Sequence, residues 1–210
     1  MQFIQPPEER KPNFEPETDK DKVKSQFKSF IWETLKVIIV SLVIIVPVRY
    51  FIIQPFYVKG ASMEPNFYDR EYLIVDEISY RFDEPARGDV IVFKYLYDRS
   101  QYFIKRIIGL PGETVKLEDG KIMISDINNI DGFTLNEYKY LPNTHTQGVE
   151  NIKLSADEYF IMGDNRSASL DSRMFGPIQK DDIVGKIWIR GWPFNKIKVF
   201  GREVYPLGLN

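Results

Sequence analysis

Polar and apolar residues divide the chain into three zones. Residues 1–29 are polar, rich in proline and then in mixed charges, which is typical of a solvated tail. Residues 30–53 are mainly apolar, and as a helix the part from 34 to 53 would span about 30 Å, the thickness of a bilayer's hydrocarbon core. Residues 54–210 alternate short apolar runs with clusters of glycine, proline and aspartate. The pattern predicts a tail, a transmembrane helix and a folded domain.

The residues around the apolar zone predict its orientation in a membrane. Trp32 and Tyr50 flank it as interfacial anchors do, and Lys36 lies near one end, where its side chain can extend to the interface. Basic residues are more frequent before the zone than shortly after it. The positive-inside rule therefore predicts a cytoplasmic N-terminus and a folded domain outside. A buried core helix is the alternative, but such a helix normally has a polar face, and residues 37–48 show none.

The third zone has the pattern of short strands. Apolar runs rich in β-branched and aromatic residues are separated by turn-forming residues, and long amphipathic helices are absent from this part of the sequence. The strand candidates are 72–75, 90–93, 102–108, 121–124, 158–162 and 183–189. We therefore predict a mainly β fold, with antiparallel sheets after the single helix.

The rare residues narrow the chemistry. The chain has no cysteine, which excludes disulfides, thiolate catalysis and cysteine-ligated metals. Its only histidine, His145, lies in a polar stretch, so a multi-histidine metal site cannot form, and histidine is a poor candidate for the base of a serine hydrolase. A net charge of −2, without an arginine- or lysine-rich element, leaves no footprint for nucleic acid. We expect neither a metal, a cofactor nor a nucleic-acid partner.

Two residues and one cluster could carry chemistry. Lys105 lies in an apolar run, where desolvation would favour the neutral amine that acts as a general base. Ser62 lies between Gly60 and Pro65, on a bend that could present both its hydroxyl and its backbone N–H. The segment 162–173 places charges and hydroxyls between apolar runs. Each also has a plain structural interpretation: a lysine whose charged end reaches solvent, an ordinary turn, and a solvated loop.

Taken in order, these segments resemble the conserved boxes of bacterial type I signal peptidases, the serine–lysine leader peptidases. The boxes are Gly-Ala-Ser-Met-Glu-Pro (60–65), Arg-Gly-Asp-Val-Ile-Val-Phe (87–93), Phe-Ile-Lys-Arg-Ile-Ile-Gly-Leu-Pro-Gly-Glu (103–113) and the segment 163–176, which opens with Gly-Asp-Asn-Arg. The likeness covers the chain after residue 30, and four ordered boxes behind one membrane anchor are specific to this family. The C-terminal ending looks most like the cyanobacterial and plastid branch.

The resemblance implies a role for each box. Ser62 would attack the scissile carbonyl, with its backbone N–H at the oxyanion, and Lys105 would accept its proton and later activate water. The supporting residues would be Ser169, which orients the lysine, the charge pairs Asp164–Arg106 and Asp171–Arg173, and Gly60, where some branches carry a second oxyanion donor. The walls of the substrate pockets would be Phe56, Val58, Met63 and Ile104.

The resemblance also implies an architecture, a location and partners. A transmembrane helix at 30–53 would precede an antiparallel β catalytic core at 54–210, with a small β insertion between about 111 and 157. The enzyme would stand on the outer face of the plasma membrane or of a thylakoid membrane. Its partners would be the lipid bilayer and exported preproteins whose signal peptides end in an Ala-x-Ala pattern.

Some residues depart from the commonest family pattern, and two other functions compete. Ser167, Ala168 and Asn66 replace residues that many members carry, and neither Ser167 nor Ala168 is a catalytic position. One competing function is an inactive single-pass paralogue that binds preproteins without cutting them, but the retained Ser62 and Lys105 argue against it. The other is a self-cleaving repressor of the DNA-damage response, which needs a DNA-binding domain and no membrane helix.

Overall fold

The computed structural model describes residues 19–51, 53–142, 144–148 and 150–201. Most of the predicted tail therefore lies outside the described residues. The chain divides into two units after Val46.

The helix α1 runs from Asp19 to Phe51, and its part up to Val46 is the described part of the first unit. The polar residues 19–29, predicted as part of a tail, are helical, because they contain no glycine or proline that would end the helix of the apolar zone. The helix stops before Ile53, which already belongs to a strand. Within the described residues one stretch is long and apolar enough to cross a membrane, Gln26–Val46.

Strands dominate the second unit. In chain order they are β1 (Ile53–Tyr57), β2 (Tyr72–Asp76), β3 (Val90–Lys94), β4 (Tyr102–Gly109), β5 (Thr114–Glu118), β6 (Lys121–Ser125), β7 (Phe133–Thr134), β8 (Glu150–Lys153), β9 (Glu158–Met162), β10 (Ile178–Gln179), β11 (Ile183–Trp192) and β12 (Lys198–Val199), with the short helix α2 (Ser172–Phe175) after β9. All six strand candidates are present. The prediction of a mainly antiparallel β fold behind one N-terminal helix is confirmed.

The strands form two antiparallel sheets. The larger has the order β1–β2–β11–β3–β4–β9–β10, with β12 paired to β11. The smaller has the order β7–β6–β5–β8. Its strands lie between Thr114 and Lys153, inside the segment 111–157 for which the resemblance implies an insertion.

Buried side chains fix the loop between β1 and β2 to the larger sheet. Val58, Met63 and Phe67 of this loop pack with Leu73 and Val75 of β2 in one hydrophobic cluster. Burying a large apolar side chain contributes roughly 1.5–3 kcal/mol. The loop is therefore held on both sides of its one serine, at position 62.

Candidate active site

The loop that carries Ser62 turns sharply at Gly60. Gly60 has a φ of +96°, a conformation that residues with a Cβ rarely adopt, and its N–H donates to Asp69 Oδ1 at 2.8 Å. Beyond the turn, the Asn165 N–H donates to the Ser62 carbonyl at 3.0 Å, and the Asn165 amide donates to the Ala61 carbonyl at 3.1 Å. These bonds orient the backbone on both sides of the Ala61–Ser62 peptide.

Lys105 in β4 reaches this serine from the interior. Its Nζ donates to Ser62 Oγ at 2.8 Å and to the Ile104 carbonyl at 2.8 Å, and the residue is only 3% exposed. Burial lowers the pKa of Lys105 from 10.5 to about 8, although the negative charges of Asp171 and Asp164 act in the opposite direction. A lysine with this pKa is half neutral near pH 8, and the neutral amine can accept a proton from a hydroxyl.

The first predicted charge pair joins β4 to the loop after β9. Arg106 Nε and Nη2 donate to the two oxygens of Asp164 at 2.8 and 2.7 Å, and both side chains are almost fully buried. Arg106 Nη1 also donates to the Gly88 carbonyl at 2.9 Å. Asn66, one of the departures from the family pattern, donates to Asp164 Oδ2 at 2.9 Å. The carboxylate of Asp164 is thus surrounded by donors.

The second predicted charge pair joins Asp171, at the end of the loop after β9, to Arg173 of α2. Arg173 Nε and Nη2 donate to Asp171 at 2.8 and 2.9 Å, and the Gly163 N–H donates to the same carboxylate at 2.9 Å. Burial would raise the pKa of Asp171, but the bonds from Arg173 and Gly163 outweigh it, so the pKa lies below its ordinary value. Asp171 therefore stays ionised at neutral pH.

Ser169 lies near the pair but does not make the predicted bond to Lys105. Its hydroxyl oxygen is buried and forms no hydrogen bond of ordinary geometry, although it is close enough to Asp171 to help lower the pKa of that carboxyl. The second bond of Lys105 goes to a backbone carbonyl instead. A Cβ on Gly163 would lie 2.1 Å from Ser169 Oγ and 2.5 Å from the Ser62 carbonyl oxygen, so this close approach requires glycine.

An open groove of about 780 Å³ lies beside the serine and the lysine. Of the predicted wall residues, Phe56, Val58 and Ile104 line it. Met63 does not: it is 1% exposed, packs in the core, and its sulfur accepts from the Asp164 N–H at 3.5 Å. The bend that presents the serine to the groove turns the next side chain inward, which corrects the prediction for Met63.

Two strand edges border the groove without a neighbouring strand among the described residues. β1 is the outermost strand of the larger sheet. β9 pairs with β4 only from Arg106 onward, so residues 102–105 have β3 on one side alone. Phe56 and Tyr102, one from each edge, meet edge to face with 5.5 Å between ring centroids. An extended peptide between the edges could pair with the backbone of both.

Several contacts around the site are not indicated by the sequence. Arg166 donates to the carboxylate of Glu137 through Nη1 at 2.7 Å and Nη2 at 2.5 Å, and no local spacing predicts this pair. Gln101 and Leu170 line the groove as well. Arg166 lies in the segment 163–176 that the resemblance singles out, but nothing in the sequence indicates Glu137 as its partner.

The remaining chemical candidates lie elsewhere. In the described part of the chain, no group of three or more histidine, cysteine, aspartate or glutamate side chains could hold a metal ion. The ring of His145 packs over Gly120 in the turn between β5 and β6, where a Cβ would lie 1.9 Å from the ring. His145 does not line the groove.

An open groove bordered by strand edges, with a serine and a buried lysine in contact beside it, is the arrangement expected of a peptidase. The protein family described as "Signal peptidase, peptidase S26" matches residues 31–192, which is most of the chain. The chain belongs to this signal peptidase family.

Individual relatives agree with the family. Signal peptidase I of Leptolyngbya laminosa is 36% identical over 179 residues, which cover 81% of this chain and 84% of that protein. Signal peptidase I of Bacillus amyloliquefaciens is 34% identical over 182 residues, covering 85% and 97%. A crystal structure of a signal peptidase I from Enterococcus faecalis is 29% identical, with a TM-score of 0.41, over 50% of this chain and 97% of that one. Cyanobacterial and Bacillus proteins match almost equally well, so these identities do not single out one branch.

Proposed function

We propose that this protein is a membrane-anchored serine endopeptidase that removes signal peptides from exported preproteins, with Ser62 as nucleophile and Lys105 as general base. The observation that carries the proposal is the 2.8 Å contact between Lys105 Nζ and Ser62 Oγ at a lysine that is 3% exposed. A binding module has no use for a desolvated lysine against a serine, so the inactive paralogue is the weaker reading.

The chemistry would proceed in two steps. Neutral Lys105 takes the proton of Ser62 as Oγ attacks the scissile carbonyl, and the resulting ammonium protonates the leaving amine. The lysine then removes a proton from the water that hydrolyses the acyl-enzyme and passes it to Ser62 Oγ as the ester bond breaks. The backbone N–H of Ser62 would stabilise the oxyanion, because Asn165 donates to the carbonyls of both Ala61 and Ser62 and so holds the backbone around this N–H in place.

The groove supports the proposed choice of substrate. A signal peptide would lie as an extended strand between β1 and residues 102–105, and its alternate side chains would enter pockets lined by Phe56, Val58 and Ile104. Small residues such as alanine at −1 and −3 fit shallow apolar pockets, whereas a charged residue at −1 would be buried without a partner. Preproteins with aspartate or phenylalanine at −1 should be cut far more slowly than those with alanine.

The helix supports membrane anchoring. The stretch Gln26–Val46 is 21 residues long, enough for the hydrocarbon core, and we propose that it crosses the membrane once with the N-terminus in the cytoplasm. Protease added to spheroplasts should then digest the β domain and spare the N-terminal end. Release of the protein by a carbonate wash would exclude the anchor.

The decisive experiment uses the full-length protein and a labelled preprotein. The parent should produce mature protein, Ser62→Ala should produce none, and Ser155→Ala, a matched change at an exposed serine outside the groove, should cleave normally. A parent that binds the preprotein without cutting it would establish the binding paralogue instead. Cleavage by Ser62→Ala at the parental rate would overturn the assignment of the nucleophile.

A further inference from the structure

One loop of the insertion contacts three of the four arginines in the conserved boxes. This insertion loop comprises residues 137–142 and 144–148, between β7 and β8. Its contacts reach Arg106 of β4, Arg166 of the loop after β9, and Arg173 of α2. The insertion is therefore part of the surroundings of the site.

The strongest of these contacts is a buried ion pair. Glu137 accepts from Nη1 and Nη2 of Arg166, and the side chains are 12% and 3% exposed. Thr146, at the other end of the insertion loop, accepts a further bond from Arg166 Nη1. Burial would lower the pKa of Arg166, but the bond and charge of Glu137 outweigh it and raise the pKa above its ordinary value. A guanidinium bound by both Glu137 and Thr146 has little freedom to move.

The other contacts of the insertion loop reach the two charge pairs of the site. The Tyr140 ring lies under the Arg106 guanidinium at 4.1 Å, and the Tyr140 carbonyl accepts from Asn66 at 3.1 Å. The Gln147 carbonyl accepts from Arg173 Nη1 at 3.1 Å. Arg106 and Arg173 are the residues that hold the carboxylates near the lysine.

Arg166 connects the insertion loop to the backbone beside the nucleophile. Its Nε donates to the Gly163 carbonyl at 3.1 Å, and its own carbonyl accepts from Arg173 Nη2 at 2.8 Å. Gly163 is the residue whose lack of a side chain allows both Ser169 and the Ser62 carbonyl to lie close to its backbone. A displacement of Arg166 would therefore move backbone that touches the serine.

We propose that Glu137 is a positioning residue for the proposed peptidase reaction: through Arg166 it holds the loop 163–169 in the place that keeps Ser62 and Lys105 in contact. This rests on the proposed function of the two residues. The insertion then contributes to turnover although none of its residues lines the groove. Displacement of reacting groups by about 1 Å can cost on the order of a hundredfold in rate.

The test is Glu137→Gln in the full-length protein, with kcat expressed per folded molecule and KM measured beside it. Gln keeps the shape of the side chain but leaves the charge of Arg166 unpaired. We expect kcat to fall about tenfold or more while KM stays within about twofold, because the groove is untouched. Glu137→Asp, which keeps the charge, should recover part of the lost kcat.

Glu113→Gln is the matched control. Glu113 forms a partly buried ion pair with Arg87, and its side chain also accepts from the Leu110 N–H, away from the groove. It should lower the unfolding temperature without changing kcat per folded molecule. If Glu137→Gln behaves in the same way, the residue is only structural and the proposal is wrong.

Two further comparisons make every outcome decisive. If Glu137→Gln does not fold, Thr146→Val is measured instead: it removes one partner of Arg166 but leaves the ion pair, and we expect kcat to fall roughly threefold. An unchanged kcat would overturn the proposal. Ser62→Ala and Lys105→Ala test the proposed function separately from the role of Glu137. Activity in either variant would contradict the proposed function. If both are inactive but Glu137→Gln has a normal kcat, only the positioning role of Glu137 is wrong.

Discussion

The dependence of cleavage on pH tests Lys105 as the base. Burial brings the pKa of Lys105 from 10.5 to about 8 against the opposing charges of Asp171 and Asp164. With this pKa, roughly a tenth of the lysine is neutral at pH 7, about half at pH 8 and roughly nine tenths at pH 9. If only the neutral amine accepts the Ser62 proton, kcat/KM should rise about tenfold between pH 7 and pH 9 and then level off.

The assay is steady-state cleavage of a labelled preprotein by the full-length protein in detergent, between pH 6 and pH 10. The parameter is kcat/KM, because it reports ionisations of the free enzyme, which is the state that the structure describes. Lys105→Ala and Lys105→Arg should both be inactive, since arginine keeps its proton. Lys116→Ala, at a lysine of β5 that pairs with Glu118 at the surface, should follow the parental profile.

Two results would refute this reasoning. A kcat/KM that still rises severalfold between pH 9 and pH 10, as an ordinary lysine with a pKa of about 10.4 would produce, would mean that burial does not depress the pKa of Lys105. Turnover by Lys105→Arg at about a tenth of the parental rate or more would mean that Lys105 is not the base at all.

Three more predictions follow from the same geometry. Denaturant unfolding at several pH values should show that Lys105→Met is more stable than the parent below pH 8, by up to about 3 kcal/mol less the contribution of the lost hydrogen bonds. The difference should vanish as the pH rises from 8 to 10.5, because the pKa of Lys105 is lower in the folded protein than in the unfolded chain. Gly163→Ala should abolish most turnover by pushing Ser169 away, whereas Gly191→Ala, which meets only a backbone oxygen at 3.9 Å, should cleave normally. His145→Ala should keep nearly full activity in the preprotein assay. An inactive His145→Ala variant would indicate a histidine-based site instead.

The strands that the sequence predicts share one feature, and those it misses lack it. Each predicted strand holds at least three consecutive apolar residues, whether it is buried on both faces, as β3 and β9 are, or alternates between buried and more exposed positions, as β2 and β6 do. β1 escaped prediction because Ile53–Tyr57 follows the apolar helix without a break and contains a proline. β5 and β8 are short and carry charges on the side that faces away from their hydrophobic cluster. The sequence therefore reveals strands with an uninterrupted apolar run more readily than strands that polar or charged residues break up.

The candidate site shows the same limit at the level of side chains. Lys105 could be picked out because a cation stands among apolar neighbours, and Ser62 because of the glycine and proline around it. Their contact spans 43 positions along the chain, and only the family resemblance suggested it. The pair Glu137–Arg166 joins two loops, and no periodicity or motif couples them. Long-range polar contacts have to be read from the fold.

The charges around Lys105 explain why its pKa is low beside two carboxylates. An unpaired aspartate at this depth would stabilise the ammonium strongly, because electrostatic interactions are weakly screened inside a protein. Arg106 binds Asp164 with two parallel hydrogen bonds, from Nε and Nη2, and Arg173 binds Asp171 in the same way. Each carboxylate therefore acts on the lysine as one end of a dipole, whose field falls off faster than that of a free charge. Desolvation remains the largest influence on the pKa of Lys105. The two arginines thus help Lys105 to lose its proton near neutral pH, as its proposed role of general base requires, and they also hold the loops in place.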